Sequence, residues 1–253
     1  MANYKRSTQT KQIIIETASR LFYEKGYTDA TVRDICAQSG LSVSRINYHF
    51  SSKADLAGVI CNQFFHNFSR EIRRAIGNRR TYSMVTEAIA LRFLVTLLLS
   101  NNSSSRFYQE IAQEGILGRV FSALDQDMFA HAIKNSDMPE YQIQLDRVDV
   151  YSRIFAAALP AVIDSWDKVL ERCSGDREKA TKMLQDVFVG LFMQMLDYEH
   201  SAQQGILALS DAYYRLLKVE VIGLTEVQIQ AVSTLTEDDK KRILTPILNK
   251  PQK

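Results

Sequence analysis

The sequence TVRDICAQSGLSVSRINYHFSSKADL occupies residues 31–56 and contains the start signals of two short helices. Thr31 followed three residues later by Asp34 is typical of a capping box, which predicts a helix that begins after Thr31. Gly40 favours a left-handed turn at the end of that helix. Ser42 is a predicted N-cap, because its hydroxyl can accept a hydrogen bond from a free N–H group of the helix that follows.

The residues around Gly40 have the spacing of a helix-turn-helix. The small Cys36 lies four residues before this glycine and the apolar Ile46 six residues after it, so the two helices can cross closely. Ile46 and Phe50 are predicted to point into the core, whereas the other residues between 43 and 48 point outward. This arrangement presents the second helix of the motif to a partner.

The flanking segments complete a small helical domain. Apolar residues recur at helical spacing within residues 8–25, which predicts an amphipathic first helix closed by Gly26. Ser52 and Asp55 are typical of the cap of a fourth helix.

The charge of the chain is unevenly distributed. Residues 1–80 hold 13 Lys and Arg against 6 Asp and Glu, whereas residues 81–253 hold 18 against 23. A basic N-terminal part favours an anionic partner, and nucleic acid is the leading candidate. The alternative is a solvated basic helix formed by the arginines that follow the motif, which are Arg70, Arg73, Arg74, Arg79 and Arg80.

Composition favours an all-α protein and gives no sign of catalysis. The chain is 46% hydrophobic with only 10 Gly and 4 Pro. Nucleotide-binding, hydrolase and zinc-protease motifs are absent from the sequence, and the four histidines are widely spaced, so no enzyme activity, metal or cofactor is predicted. No apolar run of about 18 residues and no signal-peptide pattern is present, which predicts a cytoplasmic location with reduced thiols at Cys36, Cys61 and Cys173.

The string quoted above, with the apolar residues of the preceding helix, closely resembles the TetR family of bacterial regulators over residues 8–66. The resemblance implies an all-α fold with an N-terminal three-helix helix-turn-helix domain (1–66), a larger helical ligand-binding and dimerisation domain (67–224) and a C-terminal helical extension (225–253). It implies a sequence-specific transcriptional regulator, most simply a ligand-responsive repressor acting as a homodimer on a near-palindromic DNA operator. The alternative is a helix-turn-helix used only for protein contacts.

The resemblance places the third helix in the DNA major groove. Arg45 is the predicted guanine contact, because a guanidinium can donate two parallel bonds to one base. Arg33 is a second candidate for reaching a base; for both arginines the alternative is a phosphate contact or a solvated side chain. The residues that face base edges are predicted to be Val43, Ser44, Arg45 and Asn47. Ser44, Arg45 and Asn47 depart from common family residues, so the operator sequence does not transfer.

A second group is predicted to contact the phosphate backbone: Thr31, Ser42, Tyr48, His49 and Lys53. Lys53 is the clearest member, since it lies at the start of the fourth helix, where free N–H groups also favour a phosphate. The alternatives are core packing for Tyr48 and a structural hydrogen bond for His49.

Turn residues divide the remaining chain into long helices, and no strand is predicted. The predicted helices span residues 54–76, 82–99, 104–135 with a break near 115–118, 140–173, 177–200 and 206–223. Thr225 with Gln228 and Thr236 with Asp239 are typical of further helix caps.

Two functions are predicted for these helices. The wide apolar faces of 177–200 and 206–223 suit a four-helix bundle formed by two subunits, with monomer core as the alternative. Five aromatic residues are candidates for lining an effector pocket, although core packing is the better interpretation for any single one: Phe107, Tyr108, Tyr151, Phe155 and Trp166.

Overall fold

The computed structural model describes residues 2–76, 83–120, 145–195, 199–233 and 235–248. The helices are α1 (Ala2–Lys25), α2 (Val32–Ser39), α3 (Val43–His49), α4 (Lys53–Ile76), α5 (Ser83–Leu99), α6 (Ser103–Gln113), α7 (described at 116–120), α8 (Leu145–Asp164), α9 (Trp166–Arg172), α10 (Arg177–Met195), α11 (His200–Leu216) and α12 (Glu237–Leu248). Two strands, β1 (Leu217–Ile222) and β2 (Glu226–Ala231), precede α12. The predicted helical fold class is confirmed.

The first three helices form the head, which we define as residues 2–50. The Thr31 side chain accepts the N–H of Asp34 while the Asp34 carboxylate accepts the N–H of Thr31, so the predicted capping box is present. Gly40 ends α2 in the left-handed region at φ 69°. Ile46 and Phe50 are buried as predicted, and they hold α3 against the core.

The body, which we define as residues 83–248, is built around α5. Almost every described side chain of this helix is buried, and it packs against α4, α10 and α11. Arg92 of α5 is fully buried; its Nε donates to Ser210 Oγ over 3.0 Å and its Nη2 lies 2.7 Å from Asp186 Oδ1. A buried guanidinium requires such partners, so Arg92 fixes the positions of α10 and α11.

Three predicted helix boundaries are wrong. The predicted helix at 140–173 is divided at Ser165 into α8 and α9, and serine is a weak helix former. The helix predicted to reach residue 200 does not, because Glu199 is extended and His200 begins α11. Residues 201–205, which lie between two predicted helices, form the first turns of α11, where Gly205 allows close approach of Leu244 from α12.

The segment after Leu216 is a β-hairpin, so the prediction of helix to residue 223 is wrong. Side chains of β1 alternate between half-buried and exposed, and β-branched residues occupy three of its six positions. The strands pair antiparallel, with Val219 opposite Ile229, and Gly223 has the positive φ that the turn requires.

The C-terminal segment is only partly helical. Thr225 and Gln228 were expected to cap a helix but lie in the turn and in β2, so that expectation is wrong. Thr236 and Asp239 do cap α12, with the Thr236 hydroxyl 2.6 Å from the Asp239 carboxylate. The predicted break near residue 115 is confirmed, since Gly115 has φ 67°.

Across the described ranges, no single helix has both the length and the apolar character to cross a membrane, although α5 and α6 together, bent by 98°, meet those criteria.

Candidate nucleic-acid interface

The outer face of α3 is an exposed, mostly polar surface of the head. Tyr48 is 79% exposed and Val43 is 47% exposed, while Ser44, Arg45 and Asn47 also face solvent. Core packing, the alternative for Tyr48, is therefore excluded. The five side chains protrude together from one short helix that its buried residues hold rigidly.

Ser42 starts α3, and its hydroxyl can donate to a partner when Ser44 is the donor in the contact between the two serines. Its Oγ accepts the N–H of Arg45 over 3.3 Å and lies 3.0 Å from Ser44 Oγ. A serine hydroxyl that accepts the cap bond still carries a donor, and phosphate oxygens need donors. Ser42 is thus suited to the backbone contact that the sequence predicts.

Thr31 is committed to the capping box. Its hydroxyl donates to Asp34 Oδ2 over 2.7 Å, so the side chain has no proton left for a phosphate. The bonds from Thr31, together with Lys25, lower the pKa of the Asp34 carboxyl to about 2. Because this pKa is below its ordinary value, the capping contribution is complete above about pH 4 and is lost as pH falls toward 2.

Positive charge gathers where α1 meets α3. Lys11 of α1 lies 5.7 Å from the centre of the Phe50 ring, and the Tyr48 and His49 rings meet edge to face at 5.0 Å. Burial, followed by the charges of Arg45 and Lys11, lowers the pKa of His49 below its ordinary 6.5. The His49 imidazole is therefore mostly neutral at pH 7 in the free protein.

Lys53 has a structural contact that the sequence did not predict. Its Nζ donates to the carbonyl oxygens of Tyr27 at 2.9 Å and Ala30 at 3.0 Å, with a longer contact to Thr28 at 3.4 Å. An ammonium has three protons, so these carbonyls use its donors. Lys53 ties the start of α4 to the turn between α1 and α2, and a phosphate contact would require it to leave that turn.

Sequence reasoning missed three residues at this interface. Lys11 was overlooked because nothing in the pattern of α1 shows that it faces α3. Arg106 and Glu110 of α6 were overlooked because their partners lie more than 80 positions away along the chain, at Glu24 and Thr28. The i, i+4 spacing of Arg106 and Glu110 on one helix face was the only available signal.

Comparison with known proteins agrees with this geometry. The family model for bacterial regulatory proteins of the tetR family matches residues 14–60, which run from the middle of α1 into α4. The predicted resemblance to the TetR family is thus confirmed over these residues. The match contains both helices of the motif and the N-caps of α2 and α3, but it ends before the body.

Several relatives of this chain are named as transcription regulators. The probable HTH-type transcriptional regulator YttP of Bacillus subtilis (strain 168) is 30% identical over 112 residues, covering 44% of this chain and 54% of that protein. The HTH-type transcriptional repressor DhaR of Mycobacterium sp. (strain GP1) is 31% identical over 65 residues, 26% of this chain and 33% of that protein. The chain thus spans about half the length of YttP and less of DhaR.

A solved structure extends the likeness in fold to the body. RolR in complex with the ligand resorcinol superposes with a TM-score of 0.53 at 14% identity, covering 81% of this chain and 96% of that chain. At this identity the likeness concerns the fold alone.

The predicted pocket aromatics of the body lie in separate places. Phe107 stacks on Phe22 of the head at 5.7 Å and contacts Tyr108, whereas Phe155 stacks on Phe188 at 4.4 Å. Trp166 lies under the Arg177 guanidinium at 4.9 Å. The side chain of Tyr151 lies outside the part of the chain that the structure describes. The structure therefore brings Phe107 and Tyr108 together but not the other two.

An apolar stripe on α8 and α10 faces solvent. On α10, Val187 is 60% exposed and Met183 is also exposed, and on α8 the exposed apolar residues include Val150 and Ile154. The neighbouring Phe188 packs inside the body instead. On the α11 face that was predicted to join a subunit contact, Leu209 and Tyr213 are buried, and α11 packs against α5.

Proposed function

We propose that this chain is a sequence-specific DNA-binding transcriptional regulator that acts as a ligand-responsive repressor. The observation that carries the proposal is the exposed face of α3. The helix-turn-helix that presents this face has capped helices and a buried inner side. The basic head supplies the attraction to phosphate that such a reader requires. We keep the domain boundaries 1–66, 67–224 and 225–253 as part of this proposal, noting that residues 224 and 225 lie in the hairpin turn.

In the proposed complex, α3 enters the major groove. Arg45 contacts a guanine through two parallel bonds, and Val43, Ser44 and Asn47 meet neighbouring base edges. Arg33, exposed on α2, is the second candidate for a base contact.

Ser42, Tyr48 and His49 bind phosphates beside the groove, with Lys11 added from α1. Thr31 and Lys53 act in this proposal as positioning residues, because the donors of both side chains are already used within the protein.

We propose a homodimer in which the exposed stripes of α8 and α10 face those of a second copy. Two helices from each subunit would form a four-helix bundle. Each subunit would place its α3 in one half-site, with half-sites about 34 to 36 Å apart or a multiple of that distance. The operator is then a near-palindrome.

The effector is proposed to be a small molecule that binds the body. Release from DNA requires that it bind one arrangement of the two heads more tightly than the other. The predicted lining residues Phe107, Tyr108, Tyr151, Phe155 and Trp166 stay predictions, of which Phe107 is the weakest because it packs on the head.

The test is selection of binding sites from a random duplex library with the purified chain. Affinity for the winning site and a scrambled duplex is then measured across a salt series. An inverted repeat bound at least about a thousandfold more tightly than the control supports the proposal. Equal and weak binding to all sequences would contradict it and favour a protein-interaction module.

A further inference from the structure

The turn of the C-terminal hairpin is held by side chains from two helices. Ser104 Oγ of α6 donates to the carbonyl oxygen of Gly223 over 2.9 Å, and Tyr108 Oη of α6 donates to that of Leu224 over 3.2 Å. Asn67 Nδ2 of α4 donates to the carbonyl oxygen of Thr225 over 2.8 Å. Three consecutive carbonyls are thus bound by side chains of α6 and α4.

The Tyr108 contact is buried, which makes it costly to lose. Leu224 is 2% exposed and Tyr108 is fully buried. A buried hydroxyl that loses its acceptor keeps the full penalty of desolvation. The hairpin is therefore fixed against α6 and α4, and β2 packs along α4.

The opposite side of α6 holds the head. Arg106 Nη2 donates to the carbonyl oxygen of Glu24 over 2.8 Å, and Glu110 Oε2 accepts the N–H of Thr28 over 2.8 Å. Gly26 lies so close that a Cβ there would be 2.7 Å from Glu110 Oε1. This side of α6 thereby binds the last carbonyls of α1 and the turn that follows.

The side chains that bind the hairpin turn and those that bind the head belong to the same helix, α6. Ser104 and Tyr108 are one turn apart, as are Arg106 and Glu110, and the second pair is shifted by two residues. At 3.6 residues per turn this shift is about 200°, so the pairs point to opposite sides of α6. Phe107 lies between them and stacks on Phe22 of α1.

We propose that the C-terminal hairpin positions the DNA-reading head, with Ser104, Tyr108 and Asn67 as positioning residues that act through α6 and α4. The hairpin turn sets where α6 lies, and α6 sets where the turn between α1 and α2 lies. The orientation of α3 relative to the body follows from both. This inference rests on the proposed function for its role in DNA reading, but the mechanical link from hairpin to head stands apart from it.

The first arm of the test measures that link without DNA. The full chain is compared as wild type, Tyr108→Phe, Asn67→Ala and the matched control Tyr214→Phe, which removes a hydroxyl bonded to Thr96 within the body. Hydrogen exchange is followed in peptides covering residues 23–30. Exchange is expected to rise roughly fivefold in the first two variants and to stay at the wild-type rate in the control.

The second arm measures DNA reading. Affinity is compared for the selected operator and for the same operator with one base pair inserted between its half-sites. Tyr108→Phe is expected to lower the preference for the native spacing at least about threefold, whereas Tyr214→Phe leaves it unchanged. A simple loss of stability would weaken binding to both operators equally.

The outcomes separate the two proposals. If Tyr108→Phe and Asn67→Ala leave exchange at residues 23–30 at the wild-type rate, the hairpin does not position the head and the inference is overturned. If exchange rises but spacing preference does not change, the hairpin has no role in reading and the inference is again overturned. If the wild type selects no inverted repeat, the proposed function fails, and the exchange result still decides the mechanical link.

Discussion

The Nζ atom of Lys53 lies 2.9 Å from the carbonyl oxygen of Tyr27 and 4.2 Å from the centre of the same residue's ring. One ammonium thus closes the turn after α1 from the α4 side, while Glu110 closes it from the α6 side. The turn between α1 and α2 is a junction of α1, α4 and α6. Variants at this turn should therefore change stability and DNA binding together.

Lys53→Ala is expected to lower the free energy of unfolding by about 2 kcal/mol, because two well-placed carbonyl oxygens lose a charged donor. Urea denaturation measures the change. Arg74→Ala is the control, since it removes an equal charge from an exposed site on the same helix. If the variant is as stable as wild type but binds every duplex more weakly, the prediction is wrong and Lys53 is a phosphate contact.

Gly26→Ala is expected to cost about 1 to 2 kcal/mol from backbone strain alone, because Gly26 has φ +89°. The new methyl group would also meet the Glu110 carboxylate. In a double-mutant cycle with Glu110→Ala, the combined loss of stability should be smaller than the sum of the two single losses. Additive losses would show that no steric conflict exists between the two sites.

Arg45→Ala should weaken operator binding and relax base preference at one position per half-site, by about 1 to 3 kcal/mol of discrimination. Binding to a panel of single-base operator variants measures this. Arg74→Ala again serves as the control for charge. Unchanged preference at every position would remove Arg45 from the residues that read bases.

DNA affinity should rise as pH is lowered from 8 to 6. The lowered pKa of His49 leaves the ring neutral in the free protein, and a nearby phosphate would favour its protonated form, so binding takes up a proton. The slope of log affinity against pH should approach one proton per subunit at most. His49→Gln should flatten it; an unaltered slope would assign the pH effect to another group.

Val187→Glu should weaken self-association at least about tenfold, because a charge would be buried between two apolar stripes. Sedimentation over a concentration series measures the dissociation constant. Val232→Glu places the same charge at a side chain that is 75% exposed and outside the stripes. Equal association of the two variants would place the dimer contact elsewhere.

The head could be predicted from sequence because its signals are local. The caps at Thr31 and Ser42, the glycine between them and the buried Ile46 all act within a few residues, and the structure has each of them as expected. The first strand of the hairpin could also have been predicted, since apolar and polar residues alternate from 217 to 221. It was missed because Val221 fits the apolar spacing of a helix as well as that of a strand.

The contacts of single side chains could not be predicted in the same way. Lys53 was assigned to a phosphate from its place at a helix start, but its partners lie 23 to 26 residues earlier in the chain. The α11 subunit contact stays a prediction. Leu209 and Tyr213 of its apolar face are buried within the chain, and periodicity shows that a face is apolar but not which helix covers it.

The hydrogen bonds that hold the hairpin turn also have a consequence for the order in which parts of the chain become ordered during synthesis. Translation proceeds at about 5 to 20 residues per second, and N-terminal domains fold first. The head therefore leaves the ribosome roughly ten to thirty seconds before Gly223 and Leu224 follow it. If the hairpin positions the head as proposed, a nascent chain carries during that interval a formed α3 whose orientation is not yet fixed, and the proposed operator recognition would await synthesis of residues 217–231.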